Sequence, residues 1–332
     1  MRSVTARAWC RVDLAGGTLD IWPLGLFHPG ARTVNVAIDL AVTVRVRLAE
    51  TYRFRQGESV LEAASVAELA ASPESALVGV VAGSLGLPPV EVEVASQSPR
   101  GGGLGASSAM VIALIAAAEE LLGRPPSPAA ARVHLARDLE ALLMKLPTGI
   151  QDHYPGQLGG ALEILQRPGG EAVRRLEVDL EALGTHLLVV YSGVSHFSAG
   201  QNWQVVRRRL DGEPESIGLF SGIAEAAAEL AGALEAGDFP RVGSLMGREW
   251  SFRRRLAEGV STPELERLLE AAQARGAWGG KACGAGGGGC LALLCPPERR
   301  TEIAAAVEEA GGQVLRANPT GEPLAVVPAS GG

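Results

Sequence analysis

Apolar β-branched residues fall on alternate positions between 34 and 46: Val34, Val36 and Ile38, then Val42, Val44 and Val46. Alternation turns one face of a strand to a core, so this stretch predicts strands. Val90-Glu91-Val92-Glu93-Val94 repeats the pattern and predicts a half-buried strand that feeds a run of glycines. Beyond those glycines the period changes. Residues 107–122 are apolar without alternation, long enough for a helix, and stopped by Gly123, Pro125 and Pro126. Residues 128–146 predict a second helix, ended by Pro147. Residues 159–165, 187–191 and 290–294 read as strands, and a short strand at 313–316 precedes a Pro/Gly-rich tail. Residues 217–236, 263–275 and 299–310 read as helices. Interleaved strands and helices predict an α+β or α/β chain. The turn Pro168-Gly169-Gly170 and the charged segment after it mark a shift in composition, so two domains are expected, 1–175 and 176–332.

Composition narrows the partners more than the fold. The chain has 332 residues, 47% hydrophobic and 20% charged, which suits a globular protein with a large core. A net charge of −7 argues against a nucleic-acid surface and leaves room for a local basic pocket. Cys10, Cys283, Cys290 and Cys295 form no Cys-x-x-Cys pair, so reduced cysteines in a cytoplasmic setting are expected. The N-terminus carries no apolar stretch of signal-peptide type, and the apolar run near 109–118 is too short to span a bilayer. No membrane partner is expected.

The candidate chemistry is concentrated in Pro99-Arg100-Gly101-Gly102-Gly103-Leu104-Gly105-Ala106-Ser107-Ser108-Ala109. Glycines let the backbone approach a ligand closely, and the helix that follows offers unpaired N–H groups and a positive dipole end. The combination predicts an anion cradle, with phosphate as the anion. A flexible loop capped by Ser is the plainer alternative. No Gly-Lys-Ser/Thr follows, so the Walker mechanism is excluded.

Three more segments carry candidate chemistry. Arg11-Val12-Asp13-Leu14-Ala15-Gly16-Gly17-Thr18-Leu19-Asp20 runs from a strand into a tight turn, and Asp20 either accepts ligand hydroxyls or caps that turn. Glu140 lies on the second predicted helix, and Asp152 in the loop Gly149-Ile150-Gln151-Asp152-His153. Two carboxylates so delivered suit a metal ligand and a base, or a solvated helix face and a turn. His153 reads as a positioning or surface residue. Lys281-Ala282-Cys283-Gly284-Ala285-Gly286-Gly287-Gly288-Gly289-Cys290 is a second glycine run, a linker by composition except that it enters a strand directly. Lys281 faces either a ligand phosphate or solvent.

These segments, in this order, resemble the three motifs of the GHMP small-molecule kinases. The resemblance covers about 280 residues, roughly from Arg11 to Cys290. It implies an α+β, two-domain architecture: a ribosomal-protein-S5-like N-terminal domain and a ferredoxin-like C-terminal domain, with the site in the cleft between them. It implies ATP and Mg²⁺, and a small-molecule sugar or sugar phosphate as acceptor. By the same resemblance Gly101, Gly102, Gly103, Leu104, Gly105, Ala106, Ser107 and Ser108 hold the ATP phosphates. Ser107 and Glu140 hold the metal, with Ser108 as the alternative hydroxyl. Asp152 is the base, and Arg11 stands beside the attacking hydroxyl. Asp20, Gly17, Thr18, Gly149, Gln151, Gly286, Gly287, Lys281 and His196 fall on substrate-side segments. Within the family, the Gly16-Gly17 turn and the Gly-Ile-Gln-Asp loop look most like the heptose 7-phosphate kinase branch, with galactokinase-like and fucokinase-like sugar 1-kinases next. Gly17 stands where galactokinases carry an acidic residue. A non-catalytic sensor of ATP and sugar is the competing class.

Overall fold

The alternation at 34–46 belongs to one strand. The computed structural model describes residues 2–195 and 199–328. In it β1 (Ser3–Ala15) pairs antiparallel with β2 (Arg32–Leu48), a single strand of 17 residues. The register steps from Trp9–Ala41 to Cys10–Ile38, so Asp39 and Leu40 form a bulge where the alternation breaks. Next come the hairpin β3 (Tyr52–Gln56) and β4 (Ser59–Ala63), helices α1 (Val66–Ala71) and α2 (Ala76–Leu85), and β5 (Val90–Ser96). α3 (Ala106–Leu121), α4 (Ala129–Met144) and α5 (His153–Leu158) precede the hairpin β6 (Ala161–Arg167) and β7 (Gly170–Arg175). β5 pairs antiparallel with β2 and parallel with β3, while β6 pairs with residues 32–36 of β2.

α3 lies on this sheet, packed on β1 and β2 from one side and on α2, α4 and α5 from others. Every residue from 111 to 119 is buried, which is why its sequence shows no polar stripe.

The second half runs α6 (Leu180–His186), β8 (Leu187–Tyr191), α7 (Ala199–Leu210), α8 (Pro214–Glu235), α9 (Phe239–Arg253), α10 (Pro263–Ala274), β9 (Gly279–Ala282), β10 (Cys290–Leu294), α11 (Arg300–Glu309) and β11 (Gln313–Leu315). Its strands form an antiparallel sheet in the order β11-β8-β10-β9. β12 (Ala325–Pro328) then returns to pair with β1 in the first sheet. The expected Pro/Gly-rich tail is therefore partly strand, and the expected domain 176–332 gives its last described strand to the other half. A stretch of four residues carries too little pattern to predict a strand.

α8 is long and apolar enough, by length and composition, to cross a membrane, which the sequence reading did not anticipate. It packs instead on α9, β1 and β2. All four cysteines are buried and free, and burial pushes the Cys10 thiol up to about 12.

Leu114 is fully buried at the centre of α3. Leu114→Ala should cost about 2–5 kcal/mol, seen as a lower urea midpoint with an unchanged slope of unfolding free energy against urea.

Candidate active site

The first glycine run joins β5 to α3. Gly101, Gly103 and Gly105 have φ of 64°, 68° and 74°, a region that disfavours side chains. Gly105 is the N-cap of α3, and no side chain caps it. The N–H groups of Ala106, Ser107 and Ser108 thus open onto a groove lined by every residue from Gly101 to Ser108. The second glycine run lies against the first. A Cβ on Gly103 would stand 2.7 Å from the Cys283 carbonyl, and the Cys290 N–H donates to the Gly102 carbonyl at 2.8 Å.

Both hydroxyls at the start of α3 turn toward α4. Ser107 Oγ donates to Glu140 Oε1 at 3.2 Å, and Ser108 Oγ lies 3.1 Å from both Glu140 oxygens. Two hydroxyls and a carboxylate form a hard oxygen donor set, which fits Mg²⁺. The described residues contain no cluster of three or more His, Cys, Asp or Glu side chains that suits a softer metal. His153 is buried, not at the surface, with Nε2 3.0 Å from Glu140 Oε2. Burial works against its cation, but the Glu140 carboxylate, the charge of Asp152 and the Ile150 backbone together raise the His153 pKa.

Arg11 crosses from β1 beneath the phosphate loop. Its Nε donates to Asp152 Oδ1 at 2.9 Å and its Nη1 to the Gly103 carbonyl at 2.6 Å. The Arg11 side chain is 1% exposed and that of Asp152 32%, so the carboxylate faces open space while its partner is fixed from behind.

A cavity of about 220 Å³ opens beside this pair, lined by Thr18, Asp20, Glu140, Gly149 and Gln151 among others. Asp20 Oδ2 accepts the N–H groups of Ile150 at 2.7 Å and Gln151 at 2.9 Å. Its Oδ1 is buried without a partner, as is Gln151 Oε1. Burial, helped by the nearby charge of Asp152, pushes Asp20 up to about 6 against the backbone N–H groups that bond to it. A Cβ on Gly149 would sit 1.9 Å from Asp20 Oδ2, so glycine there lets the loop close over the carboxylate.

Four of the expected substrate-side residues do not line this cavity. Lys281 faces neither ligand nor solvent. It is fully buried, with Nζ 2.6 Å from Asp13 Oδ2, because β9 aims it into the junction between the halves. Gly17 is walled off from the cavity by Asp13, Gln151 and Arg253, any of which a Cβ would meet within 3.2 Å. Gly286 and Gly287 turn to the segment before α10, where the Gly287 N–H donates to the Val260 carbonyl at 2.7 Å. Gly284 and Ala285 line the cavity in their place. His196 lies outside the described residues.

Sequence reasoning passed over Glu249 and Arg253 on α9. Both are buried, and Arg253 Nη1 donates to Thr18 Oγ1 at 2.8 Å. Their place on the same helix face as Val242, Leu245 and Met246 was the available signal that they are buried, though not of what they bond to.

Lys281→Met should destabilise the fold by about 3–5 kcal/mol in urea denaturation, because it leaves Asp13 charged and buried without its partner.

Comparison with known proteins shows the family and the fold. The model for the GHMP kinases N terminal domain matches residues 63–160, and that for GHMP kinases C terminal matches residues 230–313. A mevalonate kinase of Thermococcus sibiricus is 33% identical over 232 residues, 68% of this chain and 66% of its own length. One of Pyrococcus abyssi is 34% identical over 232 residues, 67% of this chain and 64% of its own. A D-glycero-alpha-D-manno-heptose 7-phosphate kinase of Campylobacter jejuni is 26% identical over 223 residues, 66% of this chain and 65% of its own. The matched stretch thus spans 64–66% of the length of these relatives. Among solved structures, a D-glycero-D-manno-heptose 1-phosphate kinase from Bacteroides thetaiotaomicron superposes with a TM-score of 0.76 at 21% identity, covering 98% of each chain. Lactococcus lactis galactokinase complexed with galactose gives 0.79 at 16% identity, covering 97% of this chain and 95% of that one. These two likenesses concern the fold. With both domain models matched in order on a fold of this kind, the chain belongs to the GHMP kinase family.

Proposed function

We propose that this chain is an ATP-dependent kinase that transfers the γ-phosphoryl group to a hydroxyl of a sugar or sugar phosphate. One observation carries the reading: the Arg11–Asp152 pair, with Ser107 and Ser108, lines both the phosphate groove and the Asp20 cavity. A donor phosphate and an acceptor hydroxyl would meet at that shared wall.

Each residue then has a distinct task. The N–H groups at the start of α3 hold phosphate oxygens. Ser107, Ser108 and Glu140 would hold Mg²⁺, which neutralises phosphate charge when bound. Asp20, in the cavity wall, would accept acceptor hydroxyls and position them. Arg11 Nε and Nη2 both donate to Asp152 Oδ1, so Oδ2 is not engaged by Arg11 and can take the acceptor proton. The acceptor oxygen bonds to the γ-phosphorus, the β–γ bridging P–O bond breaks, and ADP leaves. Arg11 stabilises the charge that develops beside it. Beyond the phosphates the groove continues past Phe54, Gln56, Glu74 and Leu77, which offer a place for the base.

Two substrates follow from different observations. The turn and loop motifs, with the heptose 7-phosphate kinase relative, support transfer to O1 of a heptose 7-phosphate for nucleotide-heptose synthesis. A galactokinase-like or fucokinase-like reaction on a free sugar is favoured by charge. Among the described residues lining the cavity Arg11 is the sole cation, and Asp152 already engages it. The same charge balance, with the hydroxyl-accepting Asp20, weighs against mevalonate despite the mevalonate kinase relatives. A coupled ADP-release assay with Mg-ATP against heptose 7-phosphate, the free heptose, galactose, fucose and mevalonate decides among them. Silence across the panel with ATP bound would establish the sensor instead.

Asp152→Ala should lower kcat by roughly 10²–10⁴-fold with little change in ATP affinity; near-normal turnover would remove Asp152 as the base. Asp20 binds hydroxyls best as a carboxylate. Acceptor kcat/KM should therefore fall as pH drops through about 6 while the KM for ATP stays flat. In Asp20→Asn that pH step should vanish and acceptor KM should rise.

A further inference from the structure

We infer that Arg253, a residue of the C-terminal half, is the positioning residue that sets acceptor affinity by holding the turn at residues 16–20. The inference rests on the kinase reading above. Arg253 does not line the cavity, so it acts through the turn rather than on the acceptor.

The turn needs holding. Gly16 has φ of 84° and Thr18 φ of 72°, and a β-branched residue in the left-handed region is strained. Local hydrogen bonds are sparse there, with Leu19 N–H to the Gly16 carbonyl at 3.2 Å and Ile21 N–H to the Thr18 carbonyl at 3.1 Å. Thr18 and Asp20 nevertheless form part of the cavity wall.

α9 supplies the restraint. Arg253 Nη2 donates to the Gly17 carbonyl at 2.6 Å and Nη1 to Thr18 Oγ1 at 2.8 Å, so one planar fork grips two consecutive residues. Its Nε donates to Glu249 Oε1 at 2.9 Å, and that same oxygen accepts the Gly16 N–H at 3.2 Å. Glu249 and Arg253 together touch three successive residues of the turn. Lys281 stands 3.8 Å from Glu249 Oε1 and pairs with Asp13, which anchors the start of the same segment. A buried guanidinium must satisfy its N–H donors, and here the acceptors that do so are the Gly17 carbonyl and a hydroxyl of the acceptor wall, so the ion pair and the turn are fixed together.

Arg253→Lys separates these roles. It keeps the charge beside Glu249 but cannot reach the Gly17 carbonyl and Thr18 Oγ1 together. The expected result is a rise in acceptor KM of roughly 10–100-fold, with the KM for ATP unchanged and saturated kcat within a few-fold. The acceptor is whichever sugar of the panel the wild type phosphorylates. Amide hydrogen exchange should quicken at residues 16–21 and stay as in wild type at residues 101–108. Thr18→Val, which removes one grip from the other side, should reproduce both effects if Arg253→Lys does not fold. An unchanged acceptor KM, or a parallel rise in both KM values with a lowered Tm, overturns the inference and leaves the kinase reading standing. A wild type silent with every acceptor overturns the kinase reading. Unchanged exchange at residues 16–21 overturns the positioning role whatever the substrate.

Discussion

Four charged side chains sealed from water determine how the two halves meet: Asp13 with Lys281, and Glu249 with Arg253. Asp13 belongs to β1, Lys281 to β9, and the other two to α9, so the cluster spans both sheets. Burying ions is expensive, and their mutual attraction roughly offsets that cost rather than adding stability. The gain is geometric. Apolar side chains tolerate sliding, whereas four charges in a dry junction tolerate one arrangement in which each has its counterpart. The cleft inherits that arrangement, because the turn carrying Thr18 and Asp20 is tied to the cluster on three successive residues.

The two glycine runs extend the same restraint to the phosphate side. Gly103 meets the Cys283 carbonyl and Gly289 meets the Gly102 carbonyl, backbone against backbone, so any Cβ would push the runs apart. Arg11 then ties the phosphate loop to the opposite wall, with one hand on Gly103 and the other on Asp152. The groove and the acceptor cavity therefore share a wall whose parts come from β1, both glycine runs and the loop before α5.

What could be read from sequence follows from this physics. Gly101 to Ser108, Asp20, Glu140, Arg11 and Asp152 belong to short segments whose local composition reflects local demands: glycine for approach, hydroxyls at a helix start, a carboxylate after a turn. Gly284 to Gly289 was legible as a packed loop, yet which of its residues reach the cavity was not. Lys281 and Arg253 were opaque because their partners lie 268 and 235–236 positions away, and nothing local marks a side chain as half of a distant pair. The bulge in β2 hid a single strand behind a broken period, and β12 was too short to show one.

The charge of the cavity wall brings these pieces together. Asp20, Glu140 and Asp152 face it against Arg11 alone among its described lining residues. With Asp152 held by Arg11 and Glu140 by His153, the wall offers carboxylate acceptors and, among its described residues, no uncommitted cation, which under the proposed kinase reading would suit a ligand rich in hydroxyl donors. On the other side, the phosphate loop offers N–H groups and a helix dipole where a Walker loop has its lysine, with Arg100 alongside. Such a site binds phosphate best when the nucleotide brings its own cation. The Ser107, Ser108 and Glu140 oxygens are placed to receive that cation at the same wall. In the kinase proposed above, the donor would complete the charge balance at the centre, acceptor selection would rest on hydroxyl geometry, and the position of Asp20 would be the variable on which specificity turns.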